Sequence, residues 1–185
     1  MKLKKIVTAV VASAMLACSL CLLTGCNSDE KNEQVITESL TQELDSLKNP
    51  TGDVVKGLFD EDEELAELGI TVEDFATAYL DGFDYSIDSV KVDGEEAVAT
   101  VTITCKLYTN IEKALNQKIE DLTNDKDFMA LSEKKMKKQL GQELLAAVKS
   151  VENTSTTLEI NYTLENDAWT PTAESTAAIE KALQG

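Results

Sequence analysis

The stretch Tyr85-Ser-Ile-Asp-Ser-Val-Lys-Val-Asp-Gly-Glu-Glu-Ala-Val-Ala-Thr-Val-Thr-Ile-Thr-Cys-Lys-Leu107 decides the fold class. Its second half alternates strictly. Ala97, Ala99, Val101, Ile103, Cys105 and Leu107 fall on one face, and Thr100, Thr102, Thr104 and Lys106 on the other. A period of two with one apolar face is the mark of an antiparallel strand covered on one side only. Tyr85, Ile87, Val90 and Val92 supply a partner strand, and Asp93-Gly94 between the two is a hairpin turn. The apolar face therefore needs a cover from elsewhere in the chain.

Helical spacing on both sides of the hairpin supplies it. Ile36, Leu40, Leu44 and Leu47 mark a first helix, broken at Asn49-Pro50-Thr51-Gly52. Val54, Val55, Leu58 and Phe59 suggest a short second one, ahead of the acidic run Asp60 to Glu64 and of Leu65 and Leu68. Thr71 reads as the N-cap of a third, with Glu73 and Asp74 in its first turn and Phe75, Tyr79 and Leu80 as its apolar face.

After the hairpin, Ile111, Leu115, Ile119 and Leu122 mark one helix, and Met136, Leu140, Leu144, Val148 and Val151 another that starts near Ser132. A third long strand alternates through Leu158, Ile160, Tyr162 and Leu164, and Asn166-Asp167 turns it into a short strand at Trp169. Ala173 to Leu183 reads as a terminal helix. The expected class is α+β: N-terminal helices packed on a curved antiparallel sheet of about four strands, with two helices inserted between strands 2 and 3.

The N-terminus has a different composition. Lys2, Lys4 and Lys5 precede Ile6 to Leu23, which is apolar or small and uncharged, and the run ends in Leu23-Thr24-Gly25-Cys26. This pattern predicts a lipoprotein signal peptide over 1–25, with cleavage before Cys26 and acylation of its thiol. A lipidated tether is expected over 26–33, and a single α+β domain over 34–185. Two acyl chains on one cysteine hold a protein on a membrane stably, where one chain is marginal. The address that follows is the extracytoplasmic face of a cell membrane, with palmitate-type lipid as the anchor.

Composition excludes much chemistry. The chain has 185 residues, a net charge of −17, no histidine and no arginine. Loss of the three signal lysines would take the charge to −20. Nucleic-acid binding needs a basic footprint, and scattered lysines do not make one. Serine or cysteine hydrolysis through an imidazole is ruled out, as are imidazole metal sites. No metal site and no cofactor is expected: the run Asp60 to Glu64 lacks the glycine and ligand spacing of a calcium loop. Cys18 and Cys21 would leave with the signal, so Cys105 would remain as a lone thiol, read as a buried small hydrophobe.

The lipobox Leu23–Cys26, the strand pair Tyr85–Thr104 and the ending Leu164-Glu-Asn-Asp-Ala-Trp169-Thr-Pro-Thr resemble surface lipoproteins of Gram-positive bacteria that carry a ketosteroid isomerase-like, or nuclear transport factor-like, cystatin-like α+β domain. The resemblance implies a sheet wrapped into a cone around N-terminal helices, and a candidate homodimer through the open sheet. It departs at Thr109 to Ser150, where two helices stand between the second and third strands. Enzymes of that superfamily set a carboxylate opposite a tyrosine or protonated acid in an apolar cone. Asp74, Asp81 and Asp84 are the acids available for that part, and Tyr79, Tyr85, Tyr108, Tyr162 and Trp169 are the candidate pocket residues.

No residue is assigned a catalytic role. The leading expectation is a membrane-anchored, non-catalytic module that binds a small ligand, the cell wall or an envelope protein. The alternative is a small-molecule isomerase or dehydratase using a carboxylate and a tyrosine in the cone.

Overall fold

The structure, a computed structural model, describes residues 20–21, 28–48, 50 and 63–185. The helix expected at Val54 to Phe59, the acids Asp60 to Asp62 and the motif Leu23 to Cys26 lie outside the described residues.

Helix α1 spans Asp29–Lys48 and buries Ile36, Leu40, Leu44 and Leu47, the four positions the spacing marks. It starts at Asp29, inside the stretch read as a tether, with Asp29 and Glu30 in the first turn, where acids suit the helix dipole. Among the described residues two further helices precede the hairpin, α2 (Glu63–Glu67) and α3 (Val72–Leu80). The Thr71 side chain caps α3 by accepting from the Asp74 amide at 3.0 Å.

The hairpin forms as expected. Strand β2 (Asp84–Asp93) pairs with β3 (Glu96–Cys105) across a turn in which Gly94 takes φ +64°, a conformation costly for any residue with a Cβ. The register shifts between Ile87 and Ser89, leaving Asp88 as the extra residue of a bulge. That bulge is why the apolar positions change from odd (Tyr85, Ile87) to even (Val90, Val92) along one strand: without the inserted residue the second pair would face solvent.

Between β3 and β4 (Thr154–Glu165) run α4 (Tyr108–Thr123), the single turn α5 (Lys126–Met129) and α6 (Glu133–Ser150). The stretch from Asn124 to Asp127 opens a helical turn, because Asp125 caps the Asp127 and Phe128 amides. Helix α6 begins after Ser132, and Gly141 on it passes so close to the Leu68 carbonyl oxygen that a Cβ would collide with that backbone.

Strand β4 turns through Asn166 and Asp167, with φ of 52° and 61°, into β5 (Ala168–Pro171). Positive φ at both central residues is the type I′ signature, which asparagine and aspartate tolerate better than most. Helix α7 (Ala173–Gln184), capped by Thr172, closes the chain.

The sheet is antiparallel throughout and open, in the order β1-β5-β4-β3-β2, where β1 is the two-residue strand Leu20–Cys21 paired to β5. That piece falls within the stretch read as signal peptide. The chain is α+β, with the expected inserted helices between its second and third long strands. One face, carrying Ala99, Val101, Ile103, Leu158 and Ile160, is buried in a core shared with α1, α3 and α6. The other carries threonine, serine and acidic side chains, among them Thr102 and Thr104, which bond to Thr157 and Ser155 on the neighbouring strand. Helix α1 lies against β2, α7 along β4, and α6 between α4 and α3.

Candidate functional site

The five aromatic candidates divide into two groups. Tyr79, Tyr162 and Trp169 are 1%, 1% and 0% exposed and belong to the core. Tyr79 stacks against Phe75 with ring planes 7° apart and centroids 6.3 Å apart. Its hydroxyl and the Trp169 indole N–H find no hydrogen-bond acceptor among the described residues, and burial raises the Tyr79 phenol well above its usual range. Tyr85 and Tyr108 sit half-buried at the surface, and Tyr108 donates to Glu112 Oε1 at 3.1 Å within α4. None of the five lines either of the two clefts described below.

Tyr85 belongs to a latch between β2 and α1. Its hydroxyl donates to Asp45 Oδ1 at 2.7 Å, with the Thr41 carbonyl oxygen at 3.2 Å. Lys48 pairs with Asp84 at 2.7 Å, and its ammonium lies 5.3 Å from the centre of the Tyr85 ring. Burial, and then the Asp45 carboxylate, push the Tyr85 phenol up to about 12. The bond from Lys48 holds the Asp84 carboxyl below its usual range. A proton-abstracting acid needs its pKa raised towards neutrality, so the shift at Asp84 runs the other way. Asp74 accepts from the Thr71 hydroxyl at the start of α3, and Asp81 closes the same helix at its C-cap.

A second polar corner lies behind α3. Lys106, placed on the solvated face by alternation, is only 3% exposed. The strand ends at Cys105, so the alternation stops one residue earlier and the Lys106 side chain turns inwards. Its ammonium donates to the Asp81 carbonyl oxygen at 2.8 Å, at the C-terminal end of α3, where a positive charge is favoured. Burial lowers its pKa. Asn153 Nδ2 reaches the same carbonyl at 3.1 Å and that of Gly82 at 2.9 Å, so one amide and one ammonium fasten the α3–β2 turn. Gly82, at φ +74°, leaves the room: a Cβ there would strike Asn153 Nδ2. The neighbouring Cys105 thiol is pushed up to about 11 by burial and remains protonated at neutral pH, the inert state expected of it.

Among the described residues, clefts open at the surface beside α4 and beside α7. The smaller, about 510 Å³, lies between α4 and the approach to β4, with Lys113, Gln117, Glu152 and Asn153 in its walls. The larger, about 1120 Å³, runs between β4 and α7. Strand β5 accompanies β4 only from Tyr162 to Glu165 and ends at Pro171, after which the chain leaves the sheet. At that point the Thr172 amide donates to the Asn161 carbonyl oxygen at 2.8 Å, and the Asn161 amide donates to Ser175 Oγ at 2.7 Å. Ser175, 1% exposed, thus takes over the ladder where β5 stops. Beyond it the cleft is walled by Glu159 and Glu174 near one end, with Lys181 further along α7.

Sequence reasoning marked neither Ser175 nor Lys181. The signal that could have pointed to the cleft is Pro171, which lacks the amide to continue a ladder. Among the described residues no three potential metal-ligating side chains come together, and no helix is long and apolar enough to cross a membrane.

No protein-family model and no curated protein sequence matches the chain. Among solved structures, the chain is similar to the crystal structure of ycdA from Bacillus subtilis, a protein whose standing as a lipoprotein is itself provisional. The TM-score is 0.44 and the identity 15%, over 98% of this chain and 57% of that one, so this chain spans less than two thirds of its neighbour's length. A likeness of that order carries neither a fold family nor an activity across.

Proposed function

We propose that the protein is a lipid-tethered module of the extracytoplasmic membrane face that binds a partner on its surface and catalyses nothing. The carrying observation is that the interior is closed by Tyr79, Tyr162 and Trp169, all 1% exposed or less, while the polar recesses lie outside, beside α4 and α7. The acids cast for catalysis support the same reading: Asp84 is spent on a lysine, Asp74 on a cap, and neither lines the clefts beside α4 and α7. The anchor in this reading is Cys26, acylated after cleavage of the signal peptide. In this reading the domain resembles the ketosteroid isomerase-like α+β proteins used for binding rather than for turnover.

Two measurements test this. Feeding the host an alkyne-tagged palmitate should label the protein, and Cys26→Ser should abolish the label and release the protein from membranes; persistent membrane attachment of the variant would sink the anchor. Native mass spectra of residues 27–185 after exposure to host extract should show no retained small molecule. A retained mass, lost in Asp84→Asn together with a turnover, would move the conclusion to an isomerase or dehydratase.

A further inference from the structure

We infer that the cleft beside α7 is a slot for one extended polypeptide segment, added to the edge of β4 as an antiparallel strand. The inference deepens the binding-module reading by naming where the partner sits and its chemistry.

The backbone sets the requirement. Residues 96–105 and 154–163 pair without a bulge, so the direction of each peptide group in β4 follows from any one of them. Asn161 points its amide and carbonyl away from β3, since both bond to the segment after β5. Glu159, Thr157 and Ser155 have the same parity, so their amides and carbonyls also point away from β3; Glu159 and Thr157 line the cleft, and Ser155 continues the edge beyond it. Among the described residues no hydrogen bond reaches those six backbone groups. A row of alternating donors and acceptors at a two-residue repeat is matched by another extended backbone. The volume, about 1120 Å³, is ample for a short peptide.

Charge sets the direction. Helix α7 runs opposite to β4, for Ser175 meets Asn161, whereas Gly185 comes up against Leu107 and Thr109 at the far end. Glu159 and Glu174 therefore mark the end near Asn161, and Lys181 lies about 10 Å further along the helix axis, about three residues of strand. An antiparallel occupant enters at the acidic end, so the fitting segment carries a lysine or arginine first and a carboxylate three or four residues later.

The test uses the ¹⁵N-labelled protein purified from its host. The probe is a fluorescein-labelled acetyl-Lys-Thr-Val-Thr-Asp-amide, with its charge-reversed counterpart acetyl-Asp-Thr-Val-Thr-Lys-amide. The first peptide should shift the amide resonances of Ser155, Thr157 and Glu159 and slow their hydrogen exchange, and it should bind at least several-fold more tightly than the second.

Thr157→Pro removes an outward amide that β3 does not use and should abolish binding, while Thr157→Val, which leaves the backbone intact, should retain it. Lys181→Glu should reverse the preference between the peptides. Equal affinities would overturn the direction, and shifts confined to other residues would overturn the slot while leaving a binding module in place. Protected amides at 155–159 in the peptide-free protein, with a dimer mass, would overturn it in favour of a second copy. Loss of membrane attachment bears on the anchor alone.

Discussion

The two edges of the sheet are finished in different ways. The β2 edge is kinked by the bulge at Asp88 and carries Asp84, Asp88, Lys91 and Asp93, charges that disfavour another strand. It is also fastened to α1: the Val92 amide lies 3.4 Å from Glu33 Oε1, and Tyr85 and Asp84 reach Asp45 and Lys48. Among the described residues the lower half of the β4 edge has none of these devices. It is unbulged, carries one charge in Glu159, and faces a cleft rather than a latch. The difference teaches that this chain can protect an edge, and that among the described residues the stretch 155–159 of β4 carries no such protection.

The comparison breaks most severely where both edges share a core. Trp169→Ala should lower unfolding stability by about 3–5 kcal/mol, since a fully buried indole leaves both its transfer free energy and a cavity. Leu44→Ala on α1, also 0% exposed, should cost about 2–5 kcal/mol and loosen the latched edge first. Urea titration gives both values, and amide exchange along β2 against β4 tells them apart: equal acceleration on both edges in Leu44→Ala would show that α1 does not serve β2 in particular.

A finer probe acts where closed and open edge meet. Ser175→Ala removes the acceptor for the Asn161 amide, 2.7 Å away, and should cost about 1–3 kcal/mol, the range for an orphaned buried donor. Amide exchange should speed up at Asn161 and at the start of α7, with the β2 edge unchanged. A stability loss below about 0.5 kcal/mol would mean that water substitutes for Ser175 and that the ladder already ends at Tyr162.

Much of this architecture is legible in the residues. Alternation from Ala97 to Cys105, the phase change between Ile87 and Val90 and the pair Asn166-Asp167 are local signals, set by the pleat and by backbone sterics. The helices follow because Leu40, Leu44 and their like are placed by period alone. The contacts that shape the surface are not local. Tyr85 meets Asp45 across 40 residues, and Ser175 meets Asn161 across 14; each is a polar residue that in sequence looks like any solvated one. Lys106 shows the limit of alternation, which predicts a face only while the strand lasts. The pattern Leu23–Cys26 is the reverse case: its reading as a lipidation motif rests on composition and spacing alone, and it lies outside the described residues.

The smallest effect expected is at the latch itself, and pH gives it a sign. Tyr85→Phe deletes the hydroxyl bonded to Asp45 and should cost about 1 kcal/mol near neutrality, the usual net worth of one such bond. In the folded chain the phenol is raised to about 12, whereas in the unfolded chain it sits near 10. Between those values the unfolded state has lost the proton and the folded state still holds it, so stability falls as pH rises. The latch thus contributes fully below pH 10 and is lost as the pH passes through 12. Thermal melts from pH 9 to 11.5 should therefore show the gap between the native chain and Tyr85→Phe narrowing steadily. A constant gap would mean that the ring and the Lys48 contact, rather than the hydroxyl, fasten α1 to β2, and the closed edge would then owe its closure to its bulge and charges alone.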